Sequence, residues 1–152
     1  MARFRFSLQS VLEHREMIEE QKQLAVAHLE SERIRLEIQI RRYQQGITLE
    51  KDQMRQSLRG GDIRAVRFQS GAAVRLAGAA QRTVLELAGL LRRLESARAE
   101  LLEAAKRRKA VELLKERRFE EWRTDQNRRE LAAVDELAVM AAGRRGDKDG
   151  EA

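Results

Sequence analysis

The residues of this chain that could carry out chemistry are its two histidines and several pairs of adjacent carboxylates. His14 and His28 would lie about 21 Å apart along a helix, too far to share one metal ion. Carboxylate pairs such as Glu19-Glu20 would lie on helices, without a cleft to shift their pKa values. The sequence therefore predicts no catalytic residue, no metal site and no cofactor, and a protein that is not an enzyme.

Several other chemical sites are also missing from the sequence. The 152 residues include no cysteine, which removes disulfides, thiolate ligands and cysteine nucleophiles. Gly60-Gly61 lacks the following lysine and hydroxyl residue of a phosphate-binding loop. No apolar run approaches the ~20 residues that cross a bilayer, and the basic N-terminus has no apolar core of a secretory signal behind it. We therefore expect a cytoplasmic protein that meets a membrane only through a partner.

The strongest cluster of charge is the basic run at residues 106–109, in a chain whose net charge is only +6. Glutamates follow at helical spacing, as in the pairs Arg108–Glu112 and Arg117–Glu121. Three interpretations remain open: a solvated helix face with its own salt bridges, a basic surface for an acidic protein, and phosphate-backbone binding. The first is favoured, so no nucleic-acid partner is expected.

Two long helices are predicted to position these residues. Charged residues make up 37% of the chain and aromatic residues only 4%, which is typical of long helices with a narrow buried stripe. On the first helix the stripe is predicted to follow heptad spacing through Leu8, Val11, Arg15, Ile18, Lys22, Ala25, Leu29, Glu32 and Leu36, and then, after a slip of one residue, through Ile40, Tyr43, Ile47, Glu50 and Met54. On the second helix it is predicted to follow Val84, Leu87, Leu91, Leu94, Arg98, Leu101 and Ala105.

The segment Arg59-Gly60-Gly61-Asp62 predicts the turn between the helices. Adjacent glycines allow a left-handed helix cap, Asp62 can cap the next helix, and Ser7 or Ser10 could cap the first. We expect helix one over residues ~6–58, the turn over 59–62 and helix two over ~63–142. The fold class is thus all-α: an antiparallel two-helix coiled-coil hairpin over residues 1–142, with a longer second helix and a disordered C-terminal tail over 143–152.

The second helix is predicted to outrun the first. At 1.5 Å per residue the two helices would span about 80 Å and 120 Å. Residues ~116–142, which include Phe119, Trp122 and Leu137, are therefore expected to lack an intramolecular partner and to bind another protein.

Short motifs at both ends of the chain carry a family resemblance. Leu114-Lys115-Glu116-Arg117 is followed by Asp135-Glu136-Leu137-Ala138, and the chain opens with Phe4-x-Phe6-x-Leu8. These motifs resemble those of the FliJ family of the bacterial flagellar type III export apparatus, which has Leu-x-Glu-Arg and then Asp-Glu-(aromatic or Leu)-Ala on this helix.

The resemblance implies a stalk similar to that of rotary ATPases, with the end that carries both termini inserted into the hexameric ring of the export ATPase FliI. It also implies contacts with the export gate protein FlhA and with export chaperones, and a peripheral location at the inner-membrane export apparatus. The expected ATPase-binding residues are Glu116, Arg117, Trp122, Asp135 and Glu136, and the expected gate-binding residues are Tyr43 and Phe68. Tyr43 also falls on the predicted seam, so it could instead be a packing residue.

Two other functions fit the same residues. One is the equivalent stalk of a virulence-type secretion system, which neighbouring genes would distinguish. The other is an unrelated coiled-coil adaptor or a nucleic-acid-associated protein, which a salt-dependent shift with duplex DNA would indicate.

Overall fold

The computed structural model describes residues 3–146, with side chains described as far as Ala141. Its two helices are α1 (Gln9–Arg59) and α2 (Ile63–Gly146), which pack against each other as an antiparallel hairpin. The prediction of an all-α hairpin with a longer second helix is confirmed.

Helix α2 continues through residues 143–146, which the sequence had assigned to the tail. A single glycine costs a helix only about 1 kcal/mol, so Gly143 does not have to end it. The rest of the predicted tail, residues 147–152, lies outside the described residues.

The turn between the helices has the predicted caps. Gly61 adopts a φ of 73°, the left-handed conformation that glycine tolerates best. The Asp62 amide donates to the Ser57 carbonyl at 3.0 Å and the Gly61 amide donates to the Leu58 carbonyl at 3.2 Å, which together form a Schellman motif. Asp62 Oδ1 then accepts a hydrogen bond from the Ala65 amide at 3.0 Å and caps α2.

Residues Met17–Ala105 form one compact unit, here called the hairpin unit. Its buried and half-buried residues recur every three or four positions on both helices, without the slip that the sequence suggested. They are Glu19, Lys22, Val26, Leu29, Arg33, Leu36, Ile40, Tyr43, Ile47, Glu50 and Met54 on α1, and Thr83, Leu87, Leu90, Leu94, Ala97, Leu101 and Ala104 on α2.

Half of the predicted α2 seam was wrong. Leu91 was predicted to lie in the seam, but it is 46% exposed, whereas the adjacent Leu90 is 1% exposed. In the same way Thr83 is buried in place of the predicted Val84. The Thr83 hydroxyl donates to the Ala79 carbonyl at 3.0 Å, so its burial leaves no polar group unsatisfied. The apolar pair Leu90-Leu91 fits both possible heptad registers. The register that buries the apolar Val84 was predicted, whereas the structure has the register that buries the polar Thr83.

Two charged residues at the α1 seam, Lys22 and Arg33, form ion pairs. Arg33 donates to Glu30 and to Glu37, both at 2.7 Å, and Arg98 of α2 also pairs with Glu30. The hydrogen bond from Arg33, with that from Arg98, lowers the pKa of Glu30. Lys22 Nζ lies 2.6 Å from Glu100 Oε2 across the hairpin. Ion pairs therefore join α1 to α2 where the seam lacks apolar side chains.

Candidate protein-docking site

A second compact unit, here called the terminal unit, combines Met1–Glu16 with Lys106–Ala152. Residues 3–8 precede α1 and are not helical. Within this unit the Phe4 ring lies 5.3 Å from the Phe119 ring and 5.8 Å from the Trp122 ring, and the last two rings are 5.8 Å apart. These spacings are typical of favourable aromatic pairs, so the three rings form one aromatic cluster.

Polar contacts support the aromatic cluster. Lys115 Nζ donates to Gln9 Oε1 at 2.9 Å, and Arg118 Nη1 donates to Ser7 Oγ at 3.2 Å. Ser7 thus contacts α2, and α1 begins at Gln9, three residues later than expected.

The prediction that α2 lacks a partner from about residue 116 is therefore wrong as far as Trp122. Residues 3–8 explain the difference, because non-helical chain can cover about twice the length per residue that a helix covers. The signal was present in the Phe4-x-Phe6 motif, which supplies an aromatic side chain before the first helix. The comparison of the two helix lengths left out the non-helical residues before the first helix, and therefore this aromatic side chain.

From Asn127 to Ala141 every residue of α2 is exposed. Leu131, Val134 and Leu137 are 65%, 61% and 66% exposed. At about 100° per residue these three side chains fall within about 120° of the helix circumference. We call this face the apolar arc; its apolar members are Leu131, Val134, Leu137, Ala138 and Ala141, and Asn127 and Glu130 fall within the same arc.

The structure separates the five residues that were expected to bind the ATPase. Glu116 and Arg117 are exposed, whereas Trp122 is half-buried in the aromatic cluster. Asp135 and Glu136 are exposed about five turns, or roughly 27 Å, further along α2 than the first pair. Asp135 borders the apolar arc, and Glu136 faces away from it.

The two expected gate-binding residues belong to the hairpin unit and differ from each other. Phe68 is 71% exposed, so its ring is accessible to a partner. Tyr43 is half-buried in the seam, and its hydroxyl accepts a hydrogen bond from Gln39 Nε2 at 2.8 Å. The packing interpretation of Tyr43 therefore fits its position better.

The basic run at residues 106–109 meets acids of its own helix. Arg108 and Lys109 lie 2.9 Å and 3.0 Å from the same oxygen of Glu112. The hydrogen bond from Lys109, with the nearby charge of Arg108, lowers the pKa of Glu112. This geometry supports the interpretation as a solvated helix face.

Across residues 3–146, no cluster of histidine and acidic side chains is arranged to hold a metal ion. No helix in this range is long and apolar enough to cross a membrane. The two packed helices define the class of helical coiled-coil hairpin proteins.

Comparison with protein families identifies the member of that class. The model of the flagellar FliJ protein family matches residues 4–147, which is nearly the whole chain. The chain therefore belongs to the FliJ family and is a non-catalytic component of the flagellar export apparatus. No curated protein and no solved structure gave a match to the chain.

Proposed function

We propose that this protein is the stalk of the flagellar export ATPase and that its terminal unit binds the FliI ring. The observation that carries the proposal is the fully exposed α2 segment 127–141 with its apolar arc. An amphipathic helix that keeps such a face in water is suited to bury it in a groove of another protein.

The charged residues near the arc would orient the contact. Asp135 borders the apolar arc, where a basic group of the partner could pair with it at the rim of the interface. Arg117 lies on the same side of α2 as Asp135, about five turns nearer the start of the helix. Trp122 would act indirectly in this proposal, by holding residues 3–8 against α2 through Phe4.

In this proposal the protein acts on the export ATPase and brings other components to the export gate. The protein would sit in the cytoplasm at the inner-membrane export apparatus, promote ATP hydrolysis by FliI and help to deliver chaperones and their substrates to the export gate. It would hydrolyse nothing itself. Contact with the gate protein FlhA is proposed at the exposed Phe68 ring, and Tyr43 is assigned to packing in the hairpin seam.

A truncation after Gln126 tests the ATPase contact. This variant keeps the aromatic cluster and removes the exposed segment, whereas a shorter chain ending at residue 115 would also remove Phe119 and Trp122. We expect the truncated protein to keep its helicity per residue and to lose stimulation of FliI hydrolysis. Undiminished stimulation would contradict the proposal.

The gate contact is tested separately with Phe68→Ser, with Tyr43→Phe as the matched control. We expect the first change to weaken binding to the cytoplasmic part of FlhA and the second to leave it unchanged, because Tyr43 is half-buried at the seam. Equal binding by the native protein and Phe68→Ser would remove Phe68 from the contact.

A further inference from the structure

The positive charge of the chain is concentrated in one part of the hairpin unit. Residues 33–49 and 68–93 together carry eight arginines and two glutamates, with no lysine and no aspartate. Their excess of six positive charges equals the net charge of the whole chain. Charge counted over longer segments hides this concentration, because residues 1–32 and residues 94–105 each carry a net charge of −2. Residues 50–67, around the turn, carry a further +2.

Five of these arginines lie on one flank of the hairpin unit. Arg35 and Arg42 are seven residues apart on α1 and line one surface groove. Arg35 also lines a groove with Gly89 and Arg93 of α2, which places both helices on this flank. Arg75 and Arg82 precede Gly89 at seven-residue spacing, so they share its face of α2. The arginine flank is defined by Arg35, Arg42, Arg75, Arg82 and Arg93.

The arginine flank is exposed, and its five arginines outnumber the two glutamates, Glu32 and Glu86, that line the same groove as Arg35 and Arg93. All five side chains are exposed, and no ion pair joins any of them to an acid among residues 3–141. Elsewhere on the same helices arginines do find acids, as Arg33 and Arg108 do. Five guanidinium groups that form no ion pair within this range, beside only two carboxylates, suit a partner with many anionic oxygens, which arginine binds in pairs.

On each helix, one exposed apolar side chain lies on the same face as the arginines of the flank. Phe68 precedes Arg75 by seven residues on α2, and Leu49 follows Arg42 by seven on α1. These two side chains are 71% and 57% exposed. Each helix thus presents a row in which arginines are followed, toward the turn, by one large apolar group.

We propose that the arginine flank binds the surface of an anionic phospholipid bilayer. A bilayer supplies phosphate oxygens and, just beneath them, an apolar layer, so it satisfies the arginines and the two apolar side chains on one face. An acidic protein would satisfy the arginines alone and would need a separate pocket for each apolar group. This contact is peripheral and does not depend on the proposed ATPase contact. It competes with the gate contact proposed at Phe68, because both would cover the same exposed ring.

Vesicle binding by the full-length protein tests the proposal. Sedimentation would be measured with vesicles of pure phosphatidylcholine and with vesicles containing 30% phosphatidylglycerol. A basic residue near an anionic surface contributes about fivefold to partitioning, so Arg75→Gln with Arg82→Gln should weaken binding about 25-fold. The control is Arg123→Gln with Arg129→Gln, which removes the same charge from residues paired with Glu120 and Asp125. It should change binding less than threefold.

Each outcome decides the proposal. Binding only to the anionic vesicles, weakened by salt and by the first double variant more than by the control, supports it. Equal binding to both vesicle types, or equal effects of the two double variants, overturns it. If the first double variant keeps vesicle binding but loses binding to the gate protein, the flank is a protein contact. Stimulation of FliI should be unchanged in that variant, which separates this proposal from the ATPase proposal.

Discussion

The apolar arc of α2 offers the sharpest test of the ATPase contact. The change is the triple substitution Leu131→Gln, Val134→Gln and Leu137→Gln. Glutamine is a good helix former and all three positions are exposed, so the free protein should keep its helix and its stability within about 0.5 kcal/mol. An effect on binding would then not reflect unfolding.

The expected magnitude follows from the exposure of these side chains. Leu131, Val134 and Leu137 keep 65%, 61% and 66% of their surface in water. Full burial of such a side chain contributes about 1.5–3 kcal/mol, so burying the remaining two-thirds contributes about 1–2 kcal/mol each. Three residues together give about 3–6 kcal/mol, or a loss of roughly 100-fold to 10,000-fold in affinity. Coupling between neighbours makes this an upper range.

The assay is the Kd for FliI by calorimetry, together with stimulation of ATP hydrolysis. The matched control is Val139→Gln with Met140→Gln, two residues that are 72% and 56% exposed on the other side of the same segment. We expect the control to bind nearly as the native protein does. A triple variant within threefold of the native Kd, or a control that loses as much as the triple variant, would refute the assignment of the arc.

Three further predictions concern stability. Leu90→Ala should lower the free energy of unfolding in urea by about 2–5 kcal/mol, because the Leu90 side chain is 1% exposed. The control Leu91→Ala should lower it by less than about 1 kcal/mol, because Leu91 is 46% exposed. Equal losses in the two variants would contradict the seam register. Gly61→Ala, at a φ of 73°, should cost about 1–2 kcal/mol in the same assay, whereas Gly60→Ala should cost little, and a neutral Gly61→Ala would contradict the left-handed cap. Phe4→Ala should shift the fluorescence of the single tryptophan to longer wavelength, because the ring that covers it is removed, and an unchanged spectrum would place Phe4 elsewhere.

The sequence was sufficient for the features that depend on local chemistry. Gly60-Gly61 and Asp62 specify a left-handed cap followed by an N-cap, and both are present. The motifs at the two ends identified the family before any contact was known.

The features that depend on the partner helix could not be predicted in the same way. Leu90 and Leu91 are equivalent to a periodicity argument, and only packing against α1 buries one of them. The role of Phe4 required knowing that residues 3–8 leave the helix and reach α2. The predicted ATPase-binding residues came from two short motifs on α2. About five helical turns separate Glu116 and Arg117 from Asp135 and Glu136, so the two motifs do not form one compact site.

The paired charges across the hairpin seam also decide how the two helices can slide. Lys22 meets Glu100 in the native alignment. A slide of one heptad in either direction would place Lys22 opposite Arg93 or Arg107, and both alternatives set like charges together. The Glu30–Arg98 pair would be lost in the same step, since a leucine or an alanine would stand opposite Glu30. Both changes disfavour a slide, so these two ion pairs favour a single alignment of the two helices.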